Sequence, residues 1–151
     1  MNAENFEAAE TLRSGLTVKV RAIRPADKVR LTEAFSRLDP ESVYTRFFTC
    51  KPALSDQELK AAAEVDFENV VALVVTRESG GREVIIGGGR YVVIDPASAQ
   101  RSAEVAFLIE EDYHGQGIAG RILRHLAGIA REKGVIHVTL SLTERAQPTT
   151  R

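Results

Sequence analysis

Cysteine is nearly missing from this chain: Cys50 is the single one in 151 residues. One thiol excludes an internal disulfide and any cysteine-built metal cluster, and it fits a reducing cytoplasm. As a nucleophile Cys50 lacks support, because His114, His125 and His137 are distant in sequence and bring no partner motif. His125 and His137 have no second ligand at metal spacing, so no metal is expected. Net charge is nearly missing too. Twenty lysines and arginines stand against twenty-one aspartates and glutamates, leaving −1 at neutral pH. No global field therefore draws the chain to nucleic acid or to an anionic membrane. Long apolar runs are absent as well: Val70 to Val75 and Val135 to Val138 fall far short of the roughly 20 residues that span a bilayer. The first fifteen residues, MNAENFEAAETLRSG, have neither a basic start nor an apolar centre and carry Glu4, Glu7 and Glu10. They read as a flexible lead-in (1–15), not as a secretory signal.

What is present suffices for one domain with a real core, since 44% of the residues are hydrophobic. Thr17 to Ile23 alternates as a half-buried strand, with Val18, Val20 and Ala22 on one face and Lys19, Arg21 and Ile23 on the other. Pro25 ends it and pre-sets a helix from Ala26, whose apolar positions are Val29, Leu31, Ala34, Phe35 and Leu38. ESVYTRFF reads as a short helical turn, and its Tyr44, Phe47 and Phe48 either close a pocket or cap the core. Ser55 and Glu58 form a capping box that opens a second helix. NVVALVVTR and REVIIGGGRYVVID, separated by Glu78, Ser79, Gly80 and Gly81, predict an antiparallel hairpin. Gly87, Gly88 and Gly89 inside the second of these strands mark a bulge or a close backbone approach, with a substrate wall as the sharper alternative. After a turn containing Pro96 and the run 97–101, Ser102 to Ile109 is a further strand. A third helix runs from about Gly117 to Lys133, with Ile118, Ile122, Leu126, Ile129 and Ala130 as its apolar stripe and Gly134 as its stop. VIHVTLSL is the last strand. The order is mixed α/β with a mostly antiparallel front half.

Between the strand ending at Ile109 and the third helix lies DYHGQGIAGRIL. Glycines packed at a helix start expose backbone N–H groups, and the helix dipole adds partial positive charge, which together form a phosphate cradle. Gly115, Gly117 and Gly120 satisfy the bare G-x-G-x-x-G spacing. They lack its context, because the motif follows a run of hairpin strands and the region past Ile136 offers His137 and Thr139 rather than an acid. A Walker loop fails outright for want of Gly-Lys-Ser/Thr.

The run AEVAFLIEEDYHGQGIAGRILRHLAGIAREKGV resembles the GNAT superfamily of N-acetyltransferases, whose pyrophosphate signature is Q/R-x-x-G-x-G/A between a strand and a long helix. His114, Gly115, Gln116, Gly117, Ile118 and Ala119 match those six positions, with His in place of the first Gln or Arg. VRAIRPADKVRLTEAFSRLDPESVYTRFF is similar to the start of the acetyltransferase domain in bacterial Pat-type protein lysine acetyltransferases. The resemblance covers roughly residues 16–142 and leaves 143–151 as a tail. It implies the GNAT acyl-CoA N-acyltransferase fold and acetyl-CoA as cofactor. Backbone groups from Gln116 through Ile118 and Ala119 to Gly120 would hold the coenzyme's diphosphate, and Phe107, Leu108 and Ile109 would pair with its pantetheine arm as an added strand does. Arg121 either meets a phosphate or is a solvated helix arginine. Tyr113 packs on the coenzyme or shields it.

The same resemblance makes Glu104 the general base. Acetyl transfer requires an unprotonated amine, and a lysine of pKa about 10.4 must first lose a proton to a carboxylate, often through water. Pat-like enzymes carry that glutamate at the A-E-[VF]-A position occupied here by 103–106. Strand alternation sets Glu104, Ala106 and Leu108 on one face and Val105, Phe107 and Ile109 on the other. Glu110, Glu111 and Asp112 read as exposed loop acids, available to a basic substrate segment. Tyr44, Arg46, Phe47 and Phe48 lie where such enzymes build the acceptor side of the cleft. GNAT domains continue after the strand matching VIHVTLSL with another helix and two strands, whereas nine residues, TERAQPTTR, follow it here. The expectation is a C-terminally truncated domain whose exposed last strand invites a homodimer. The expected activity is acetyl transfer to a protein lysine or a small-molecule amine. The alternatives are an acetyl-CoA sensor or regulatory module without turnover, and an interaction domain with an empty cleft.

Overall fold

The computed structural model of the chain describes residues 3–36, 55–94, 102–109, 113, 115–135 and 137–140, and its strands lie side by side in the order of the sequence. They are β1 (Glu7–Thr11), β2 (Thr17–Ala22), β3 (Val70–Ser79), β4 (Arg82–Val93), β5 (Ser102–Ile109) and β6 (His137–Leu140), with helices α1 (Lys28–Ser36), α2 (Asp56–Ala63) and α3 (Ile118–Glu132) between them. Neighbours pair antiparallel except β5 and β6, which run parallel because α3 crosses over between them.

Each boundary has a local cause. Gly80 and Gly81, at φ +60° and +83°, give β3 and β4 a two-residue turn that a β-carbon would strain. Ser55 Oγ accepts from the Glu58 N–H at 3.1 Å while the Ser55 N–H donates to Glu58 Oε1 at 2.9 Å, starting α2 as the capping box predicts. Gly134, at φ +82°, lets the Val135 N–H reach back to the Ala130 carbonyl and closes α3.

The sheet separates two apolar layers. On one face Val20, Leu73, Tyr91 and Val105 pack with Ile118, Ile122, Leu126, Ile129 and Ala130 of α3, so the predicted stripe is the buried one. On the other face Ile23, Ala72, Val74 and Ile85 meet α1 and α2 through Leu31, Ala34 and Ala63. Val29, expected among the inward positions of the first helix, is 65% exposed instead.

The glycine run serves both functions expected of it. Pairing passes from Val75 opposite Gly87 to Thr76 opposite Ile85, leaving Ile86 as the extra residue of a bulge. A bulge inverts the alternation, so Ile86 and then Tyr91 and Val93 all face α3. A β-carbon at Gly89 would stand 2.8 Å from Ile122 Cγ2 and 2.9 Å from Phe107 Cδ1. Its absence lets α3 sit close over β4 and β5.

Two expectations are corrected. The lead-in is no loose segment: Ala3–Asn5 forms a 3-10 turn, and β1 pairs with β2 from Glu7 opposite Arg21 to Thr11 opposite Thr17. Arg21, assigned to the polar face of its strand, is 1% exposed. Its Nη1 and Nη2 each donate to an Asp27 carboxylate oxygen at 2.8 Å, and its Nε donates to Glu83 Oε2 at 3.0 Å. Burial alone would raise the Asp27 carboxyl, but the Arg21 fork, the Arg24 N–H and Arg30 together hold it below the usual range. Arg21 likewise lowers Glu83, aided by the Thr76 hydroxyl. Tyr44, Arg46, Phe47 and Phe48, the Pro96 turn and the tail lie outside the described residues. Among those described, no helix is long and apolar enough to cross a membrane.

Candidate active site

β5 carries the site. Ala103 and Val105 are buried and Phe107 and Ile109 pack on the α3 layer, so Glu104 points to the opposite face, where it is exposed. In register it stands between Val92 of β4 and Thr139 of β6. Pairing with β4 continues from Ala103 to Ile109, whereas the register with β6 covers Ser102–Val105. The second half of β5, holding Phe107, Leu108 and Ile109, leads to the glycine loop; the residues after Leu140 of β6 lie outside those described. Leu108 contributes its backbone opposite Gly88. Ligands of open α/β sheets lie at such carboxyl ends of parallel strands.

The loop has the geometry the glycines predict. Gly115 and Gly117 take φ +81° and +82°, and Gly117 is the N-cap of α3 in the left-handed conformation. No side chain caps the helix there, so the N–H groups of its first turn face outward without a side-chain acceptor. A β-carbon on Gly115 or Gly120 would meet nothing within 4 Å, and Ala119 is exposed beside them. Ile118 is buried and fastens the turn to the core. Left-handed glycines, uncapped N–H groups and open space suit a diphosphate. His114 lies outside the described residues.

Arg121 stands against the bend, its Nη1 2.8 Å from the position a β-carbon on Gly117 would take, but its donors are taken. Its Nε donates to Glu10 Oε1 at 3.1 Å, Nη2 to the Thr11 carbonyl at 2.8 Å, and Nη1 to the Gln116 and Gly117 carbonyls at 3.4 and 3.3 Å. It ties the loop backbone to β1. His125, one turn on, places Nε2 2.6 Å from Glu10 Oε2, and its ring meets Phe6 with centroids 5.0 Å apart. The bond to His125, then Arg121, hold the Glu10 carboxyl below its usual value despite partial burial.

Reading the sequence missed the turn between β1 and β2 as part of this region. Arg13 Nη1 donates to the Gly115 carbonyl at 3.1 Å, and the Ser14 hydroxyl donates to Gln116 Oε1 at 2.7 Å. The signal was Ser14-Gly15 between two short extended runs, with Gly15 at φ +93°. On the far side of the loop Tyr113 accepts at its hydroxyl from Arg77 Nη1 at 2.8 Å.

A family model described as Acetyltransferase (GNAT) family matches residues 32–150. The chain belongs to the GNAT family. It has the GNAT fold and is an N-acetyltransferase domain by class. An acetyltransferase of Pseudomonas aeruginosa is 30% identical over 129 residues, which span 83% of this chain and 66% of that protein. The crystal structure of the GNAT domain of S. lividans PAT superposes with a TM-score of 0.77 at 36% identity, covering 85% of this chain and 74% of the other. A Trypanosoma brucei acetyltransferase, 21% identical, shares the fold with a TM-score of 0.61 over 87% of each chain.

Proposed function

We propose that this GNAT domain transfers the acetyl group of acetyl-CoA to an amine, with a protein lysine as acceptor and Glu104 as general base. The observation that carries this is the layout of β5, which has an exposed carboxylate near one end and the glycine loop past the other. From Glu104 to Ile109 the strand advances about 17 Å at roughly 3.4 Å per residue, a span suited to an extended arm between diphosphate and thioester. Gln116 to Gly120 hold the diphosphate on N–H groups, and the backbone of Phe107, Leu108 and Ile109 guides the arm. Bound acetyl-CoA supplies the activated acetyl group. Glu104 removes the ammonium proton, directly or through water, so that the amine can attack. The lysine preference rests on the similarity to the S. lividans PAT domain and on the Pat-like sequence of residues 20–48.

The test is a thiol-release assay with lysine peptides, with coenzyme affinity measured in parallel. Glu104→Gln should lower kcat about 10²- to 10⁴-fold while leaving acetyl-CoA affinity within a factor of about two. An unchanged rate removes Glu104 from the mechanism. Binding without turnover in the wild type would favour a sensor over an enzyme.

A further inference from the structure

Arg121 is the cation that the loop's own sequence offers to a phosphate, yet its guanidinium is bound to Glu10 and to main-chain carbonyls. A different arginine stands at the loop. Arg13, 102 residues before Gly115, donates from Nη1 to that residue's carbonyl at 3.1 Å. Its Nε and Nη2 lie 3.7 and 3.8 Å from the position a β-carbon on Gly117 would take, beside the already bonded Arg121 Nη1 at 2.8 Å. This single bond occupies one of five guanidinium donors. Among the described residues Arg13 is in no ion pair, whereas Arg21, Arg30 and Arg121 each meet a carboxylate.

That placement is unfavourable in isolation. A helix N-terminus carries roughly half a positive charge, and a guanidinium beside it is repelled. Among the described residues no carboxylate pairs with Arg13 to offset the repulsion, yet the turn is fastened there through Ser14 and Gln116, and Arg121 binds the neighbouring Thr11 carbonyl. An anion seated against the loop satisfies both positive groups at once. A guanidinium fork matches two phosphate oxygens better than a lone N–H does.

Resting on the coenzyme reading above, we infer that Arg13 is a phosphate ligand: its free N–H donors close over the diphosphate held by the Gly115–Gly120 loop. The β1–β2 hairpin is thereby part of the coenzyme site. The diphosphate is the group concerned because Arg13 reaches Gly117, the bend where the helix's N–H groups begin.

Calorimetry on the full chain with coenzyme A and with 3′-dephospho-coenzyme A tests this. Arg13→Ala should weaken both ligands about 5- to 20-fold and flatten the salt dependence of binding. Lys19→Ala, which removes an equal charge from β2 outside the turn, should stay within about twofold. If the wild type binds neither ligand, the coenzyme reading itself fails. If the wild type binds and Arg13→Ala binds equally well, only the role of Arg13 fails. A loss confined to coenzyme A overturns the diphosphate assignment in favour of the 3′-phosphate. A loss in Lys19→Ala as large as in Arg13→Ala overturns the local contact in favour of net charge.

Discussion

Two glycines of this chain face opposite demands, and the difference is measurable. At Gly89 a β-carbon would press on Ile122, Phe107 and the Ala106 carbonyl at 2.8, 2.9 and 3.3 Å, and the backbone oxygen cannot swing aside. Gly89→Ala should therefore lower stability by about 1–3 kcal/mol. Gly120, inside the first turn of α3, has nothing within 4 Å of its missing β-carbon. Gly120→Ala should raise the stability of the unliganded protein by about 0.5–1 kcal/mol through helix propensity alone. Urea midpoints at constant slope decide both. Gly115, Gly117 and Gly134 were legible in the sequence because few other residues accept φ near +80°, and the face of Glu104 was legible because a strand alternates. Arg21 was not, since an arginine between Val20 and Ala22 is ordinarily solvated. Only its partners, 6 and 62 residues away, justify burying it.

Among the elements, β2 is joined to the β3–β4 hairpin through that buried arginine. Glu83 and Asp27 both titrate below their ordinary 4.5 and 3.8, so the stability they contribute is complete above those values and is lost as pH falls through the lowered ones. Glu83→Gln should cost about 1–3 kcal/mol at pH 7, shrinking as pH falls through the lowered value and the wild-type carboxylate itself becomes protonated. Denaturant titrations of the two proteins across that range should converge at the acid end. The elements themselves were largely legible: the capping box, the Gly80-Gly81 turn and the stripe of α3 are local signals, and local geometry honours them. β1 was not, because EAAET has one β-branched residue, Thr11 at its end, and owes its conformation to β2.

For the molecule as a whole, β1 and its turn connect the sheet's outer edge to the glycine loop through Arg13, Ser14 and the Glu10–Arg121 pair. Coenzyme A should therefore slow amide exchange at residues 10–16 as well as at 115–121. Hydrogen–deuterium exchange resolved by peptide measures this, and protection confined to the loop would separate the hairpin from the site. Strands that neighbour one another in sequence also neighbour one another in the sheet, so most pairing closes short loops. The contacts joining residues 10–14 to 115–125 bridge more than a hundred residues. Closing loops of that length carries the largest entropic cost, so in folding these contacts are expected to form last and to fix the glycine loop after the rest of the sheet.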